Sequence, residues 1–222
     1  MKKRNLRNII LGGQDGLVNI LGFILAMAEA TSDVKIVIIA GLAALFAESL
    51  SMAGVGYTSA KAALDYYRAK LKEEKEEVKK IPEEGKAEIR EIYEKKGFKG
   101  KLLNQVVNKI ISKKRVWVET MMSEELGLAC DDYQNPVKDA LVIGFSSVIG
   151  SLIPLLPFFF VADIFTGMYT SFFLTIVILF ATGYVKAKVT VGHWFKSGLE
   201  ISLVGIGAAV LGYLIGYLLR MI

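Results

Sequence analysis

The 222-residue chain contains one cysteine, Cys130, and one histidine, His193. The first scarcity excludes an internal disulfide and any zinc site built from thiolates. The second excludes a multi-histidine metal cluster. No Ser-His-Asp set, P-loop or dinucleotide fingerprint is present, so hydrolytic, ATP-driven and nicotinamide chemistry have no motif to rest on. Only four prolines occur, and two of them, Pro154 and Pro157, fall inside an apolar run where they break helical hydrogen bonds and are expected to kink it.

What the chain has is apolar length. Residues are 53% hydrophobic and mean hydropathy is +0.45, too apolar for an ordinary soluble domain. A helix needs about 20 residues to cross ~30 Å of hydrocarbon. Five segments meet that length, near 8–30, 35–60, 138–161, 168–188 and 198–219. The first is too long in its apolar run for a cleaved leader, and no small-residue cleavage site follows it. Between the second and third lies a charged stretch, 65–135, holding 16 of the 27 basic and 15 of the 22 acidic residues. It is nearly neutral, so the net charge of +5 and pI of about 9.1 arise at the ends of the apolar segments and do not point to nucleic acid.

That excess of positive charge sets a topology. Lys2, Lys3, Arg4 and Arg7 precede the first span, and Lys186, Lys188 and Lys196 flank the loop between the fourth and fifth. The 161–167 turn has no basic residue. The positive-inside rule then places the N-terminus and the 65–135 region in the cytoplasm and the C-terminus outside, with Arg220 the one charge opposed to it. The domains expected are 1–64 (two spans), 65–135 (a helical unit) and 136–222 (three spans). The fold class is all-α. The second span has no break after Tyr57 and is expected to continue as one helix to about Lys80. Pro82 suits the first turn of a second helix, 82–96, stopped by Gly97. Two more helices follow, about 100–113 and 113–126, the last ending at Gly127.

Two acids lie where a membrane helix should have none. Asp15 sits in the first span among Gly12, Gly13 and Gly16. Glu48 sits in the second, with Met52 one turn further on and on the same face. A charge at mid-bilayer costs roughly 2.5–3.5 kcal/mol on insertion scales, and such residues usually face a bundle interior and mark an ion path. The plainer alternative is that each pairs with a polar neighbour or a helix-end lysine. The charged stretch adds a second candidate set. Glu73, Glu74, Glu76 and Glu77 alternate with lysines, as a solvated, salt-bridged face also would. Glu84, Glu88 and Glu91 form one like-charged stripe, which costs stability unless something neutralises it. Met121 and Met122 adjoin Glu125. Carboxylate oxygens with thioether sulfur favour a softer divalent metal such as Fe²⁺ over Mg²⁺ or Ca²⁺. A short match, Asp15-Gly-Leu-Val against Asp139-Ala-Leu-Val, hints at an internal repeat. His193 and Trp194 read as an interfacial anchor, and Ala208, Gly212 and Gly216 as a ladder for close helix packing.

The segments DGLVNILGF, SLSMAGVGYTSAKA, the glutamate-rich helix, WVETMMSEELGL and NPVKDALVIGFSSVIGSLIPLLPFF resemble, in order, the vacuolar iron transporter family. The resemblance implies a five-helix homodimer that exchanges Fe²⁺ or Mn²⁺ for protons, as an antiporter in metal homeostasis, without a prosthetic group. By motif position Asp15 and Met52 resemble pathway residues, with Glu48 as a further candidate. Glu74, Glu77, Glu88, Met121, Met122 and Glu125 resemble ligands of the cytoplasmic unit. The chain departs from the family pattern at Gly56 and Gly85, where glutamate is common. Glu48 and Glu84 are the carboxylates nearest to replace them. The function expected is proton-coupled export of Fe²⁺ or Mn²⁺ from the cytoplasm. A passive metal facilitator, or a sensor or scaffold that transports nothing, would use the same residues. Short loops and a compact chain suggest a prokaryotic cell membrane, or a vacuolar one in a eukaryote.

Overall fold

The computed structural model describes residues 3–129, 135–190 and 192–221. Eight α-helices and one π-helical turn occur among them, and no strand. They are α1 (Lys3–Thr31), α2 (Val34–Lys80), α3 (Pro82–Lys95), α4 (Gly100–Ile111), α5 (Lys114–Thr120), the π turn (Met121–Glu125), α6 (Pro136–Phe160), α7 (Ile164–Val189) and α8 (Trp194–Arg220). Five of these, α1, α2, α6, α7 and α8, are long and apolar enough to cross a membrane. Residue contacts divide the chain into two compact units: Met1–Tyr57 with Val137–Ile222, and Thr58–Pro136. The division falls at Thr58, upstream of the change in composition at 65, because α2 is one helix of 47 residues that contributes to both units.

In the first unit the helices are laid against α1, and glycine sets how closely. A Cβ at Gly12 would stand 2.2 Å from the Ile143 carbonyl oxygen of α6, and one at Gly150 would stand 2.2 Å from the Gly13 oxygen of α1. On the opposite flank, a Cβ at Gly212 would lie 2.0 Å from the Gly22 oxygen, and one at Gly216 would lie 2.4 Å from the Ala26 oxygen. The expected Ala208, Gly212 and Gly216 ladder is therefore the α1–α8 seam. Within a bilayer there is little hydrophobic gain in bringing helices together, so small residues that admit backbone contact carry the packing. Larger side chains fill the remaining space. Ile20, Leu21 and Ile24 of α1 pack with Val37 and Leu45 of α2 and Leu155 and Phe158 of α6, all nearly or fully buried.

Polar side chains inside this unit are tied locally. Ser49 donates to Ser147 at 3.2 Å across α2 and α6, and Ser171 of α7 donates to the Pro154 carbonyl at 2.6 Å. Despite Pro154 and Pro157, α6 remains one helix from Pro136 to Phe160. α7 and α8 each begin four residues before the spans read from hydropathy. Asp163 caps α7 by accepting from the Thr166 N–H at 2.8 Å. Trp194 opens α8 and is ringed by Phe180, Tyr184 and Phe195, with His193 stacked on it. Arg220 meets the buried Glu29 of α1 at 3.2 Å, which neutralises the one charge that opposed the positive-inside pattern.

The second unit has its own core. Val78, Ile89, Leu103, Val107, Ile110, Trp117, Val118, Met121 and Met122 form one buried cluster. Pro82 occupies the first turn of α3. Gly97 and Gly127 stop the helices they follow with φ of +92° and +65°, a region that a side chain strains.

Candidate functional site

Asp15 and Glu48 meet on one face of the first unit. Asn19 of α1 donates to Glu48 of α2 at 2.6 Å. Asp15, one turn before Asn19, comes close enough to the Glu48 carboxyl for a side-chain hydrogen bond between them. Glu48 and Asp15 are half-buried and Asn19 is exposed, so the unit leaves this face open. Met52, also half-buried, lies one turn beyond Glu48. Asp15 and Glu48 are thus close neighbours with a shared amide donor, and no lysine or arginine ion pair to either occurs among the described residues. Asn19 was not among the residues singled out above; its signal was a lone amide four residues from an intramembrane acid.

Gly56 does not belong to this face. A Cβ there would stand 2.7 Å from Ile143 Cδ1 and 3.4 Å from the Ala140 Cα of α6. A side chain at position 56 would first have to move the tip of Ile143, and Glu48, two turns earlier on the helix, does not refill that space. Asp139, the acid of the repeat-like motif, also differs from Asp15. It is buried, accepts from Asn8 at 2.8 Å and pairs with Arg4 at 3.2 Å. The sequence marked Asp139 only through the repeat-like match and Glu29 not at all; each is neutralised by a partner distant along the chain.

In the second unit the structure sorts the glutamates. Glu73 pairs with Lys70, Glu76 with Lys80, Glu91 with Lys95 and Glu119 with Arg115, at 2.6, 3.3, 2.6 and 2.7 Å. These are the solvated faces. Glu74, Glu77, Glu88 and Glu125 have no such partner among the described residues, and they act on one another. Glu74 is buried, and its carboxyl is pushed up to about 7 by that burial and then by Glu125, Glu77, Glu88 and Glu73. Burial also raises Glu88, with Glu77, Glu84 and Glu91 adding to it, and raises Glu125, with Glu88 and Glu77 adding and Lys70 opposing. Oε2 of Glu74 is buried without a hydrogen-bond partner among the described residues. A buried carboxylate oxygen in that position calls for a proton or a cation.

The carboxylates converge electrostatically without closing on a point. No three acidic, histidine or cysteine side chains among the described residues stand in metal-ligating range of one another. Glu84 is exposed and reaches the group only through its effect on Glu88. Met121 and Met122 are 1% and 2% exposed, packed in the apolar core. They are carried by the π turn, in which the Leu126 N–H reaches the Met121 carbonyl five residues back at 3.3 Å. π turns occur mostly as single-turn insertions and often at functional sites. Nothing in the sequence marks this one. Gly85 has a packing role: a Cβ would stand 3.2 Å from the Trp117 ring, so the indole takes the room that a glutamate would need.

These features define a class: a polytopic helical membrane protein with a carboxylate pair between two spans and a separate acidic helical unit. The profile of the VIT family matches residues 6–217. Vacuolar iron transporter 1 of Oryza sativa subsp. japonica is 34% identical over 208 residues, covering 94% of this chain and 82% of that protein. Vacuolar iron transporter 1 of Arabidopsis thaliana is 32% identical over 200 residues, covering 90% and 80%. The vacuolar iron transporter of Plasmodium falciparum (isolate 3D7) is 31% identical over 229 residues, covering 99% and 84%. The chain belongs to the VIT family.

Proposed function

We propose that the protein exports Fe²⁺ or Mn²⁺ from the cytoplasm in exchange for protons. The observation that carries this reading is the Asp15–Glu48 pair, set between two spans, with Asn19 donating to Glu48. A carboxylate takes either a proton or a metal ion, so one pair of acids can bind both cargoes alternately and couple their fluxes. Met52 does not titrate and favours a transition metal at any pH. The relatives named as iron transporters support metal as the cargo. Glu74, Glu77, Glu88 and Glu125, supported by Glu84, Met121 and Met122, gather the ion before it enters the span. The basic residues at one end of α1 and α7 support a cytoplasmic side for that unit and the N-terminus.

The same pair argues for a homodimer. An open face with two carboxylates and an amide is expensive against lipid. A second copy laid on it covers the acids and doubles the ligands around the path.

Uptake of Fe²⁺ into proteoliposomes, with and without an inward-acidic pH gradient, tests the proposal. Uptake that collapses with the gradient is expected. Uptake indifferent to the gradient would make the protein a passive facilitator, and no uptake would leave a sensor or scaffold.

A further inference from the structure

Arg7 on α1 and Lys186 on the last turn of α7 are among the cations of the first unit that have no carboxylate partner among the described residues. They flank a cavity of about 610 Å³ whose other walls are Leu6, Ile10, Leu11, Gln14, Val189 and Thr190. Leu6, Ile10 and Gln14 also line a second cavity of about 340 Å³, which continues between α1, α6 and α7 past Gly13, Ile149, Ala181 and Ile178 to Leu17 and Ile153. The two together are one trough with a cationic head and an apolar tail.

The length of the trough identifies its occupant. From Leu6 to Leu17 α1 rises about 16 Å, and from Ile178 to Thr190 α7 rises about 18 Å. Half of a ~30 Å hydrocarbon core is ~15 Å. The trough therefore starts at the membrane surface and ends near the bilayer centre. Its depth is that of one leaflet, and its charge is confined to the surface end. Gly13 and Ala181, with little side chain, leave the trough deep enough for a chain of methylenes. The geometry points to a structural site for an anionic glycerophospholipid: the phosphate lies between Arg7 and Lys186 beside Gln14, and one acyl chain lies along the α1–α6–α7 trough. Basic pockets between spanning helices are a known way of holding such headgroups. A free phosphate would use only the head, and a zwitterionic lipid would bring a cation back to Arg7 and Lys186.

Native mass spectrometry of the full chain in detergent, offered equal amounts of dioleoylphosphatidylglycerol and dioleoylphosphatidylcholine, tests the site. Wild type is expected to retain the anionic phosphatidylglycerol preferentially. Arg7→Gln with Lys186→Gln should weaken it about thirtyfold, from about 1 kcal/mol for each basic group at the surface. Ala181→Phe fills the tail with the cations intact, and should release both lipids; Ala181→Leu serves if the larger side chain prevents folding. Glycerol 3-phosphate should not compete. Equal retention of the two lipids by wild type, or a preference that survives loss of both cations, would overturn the assignment. Displacement by glycerol 3-phosphate would overturn it in favour of a plain anion site. Conversion of dimer to monomer by Ala181→Phe, with lipid selectivity unchanged, would show that a second copy covers the trough instead.

Discussion

Glu74→Gln isolates the cost of the acidic cluster. In the folded unit the Glu74 carboxyl holds its proton up to about pH 7; in the unfolded chain it releases it at about 4.5. Between those values the folded state carries the extra proton, so stability falls as pH rises through the window, and the full deficit is present above pH 7. A difference of that size corresponds to about 3 kcal/mol. Glutamine has nearly the shape of protonated glutamate and no charge to desolvate. At pH 4.5 the variant should melt with wild type, and at pH 8.5 it should melt higher by about 6–12 °C for a chain of this length. Glu88 and Glu125 are raised in the same direction, so the variant's own profile should keep a residual downward slope. Trp117 lies in the core of this unit and is one of two tryptophans; in a Trp194→Phe background its fluorescence reports this unit alone. The measurement is a thermal melt of the full chain in detergent with chelator, from pH 4.5 to 8.5. Parallel profiles for wild type and variant would refute the argument, because they would mean that Glu74 ionises in the folded state as freely as in the unfolded one.

Asp15→Ala and Glu48→Ala should each abolish metal uptake in proteoliposomes while the melting temperature stays within a few degrees of wild type; wild-type rates in both would remove the pair from the path. Gly212→Ala places a methyl 2.0 Å from the Gly22 carbonyl oxygen. A backbone atom cannot swing aside, so this change should cost about 2 kcal/mol or more and show as a lower melting temperature, whereas Gly207→Ala, where a Cβ would meet nothing within 4 Å, should leave melting unchanged. Met121→Leu with Met122→Leu keeps the core volume and removes both sulfurs, so it should lower Fe²⁺ affinity more than Mg²⁺ affinity by calorimetry on the full chain. Equal loss for both ions would mean that the thioethers serve only packing.

The spans were legible because hydrocarbon thickness imposes a length that few soluble segments reach. The helix stops were legible where chemistry is local: Pro82 at a first turn, Gly97 and Gly127 at positive φ. The starts of α7 and α8 were read late because hydropathy does not register a cap such as Asp163 or an aromatic opening such as Trp194. The acids of the spans were conspicuous against their apolar surroundings, but their partner Asn19 was not, since an amide carries no insertion penalty large enough to stand out. In the acidic unit the helical period alone could not separate Glu73 and Glu76 from Glu74 and Glu77. That distinction depends on where α3 and the π turn lie, which no residue of α2 encodes. The π turn was invisible for a related reason. One extra residue in a helical turn changes no composition or period over so short a stretch, yet it accompanies the burial of two adjacent methionines.

The glycine seams of α1 divide the first unit into parts that can yield and parts that cannot. Between α1 and α6, and between α1 and α8, the contact is main chain against main chain at Gly12, Gly150, Gly212 and Gly216. Such a contact has no rotamer to change, so these three helices form a frame. α2 meets that frame less tightly: Gly41 faces the tip of Leu155, Gly56 faces Ile143 Cδ1 and Gly54 faces nothing, and at its nearest main-chain approach a Cβ on Gly144 of α6 would still stand 3.4 Å from the Ser49 oxygen. Of the pair at the centre of the span, Asp15 is thus mounted on the stationary part and Glu48 on the part free to shift. A small slide of α2 would change the distance between the two carboxyls with little disturbance of the frame, and in the proposed exchange that distance would set whether the pair shares a proton or opens to a larger cation.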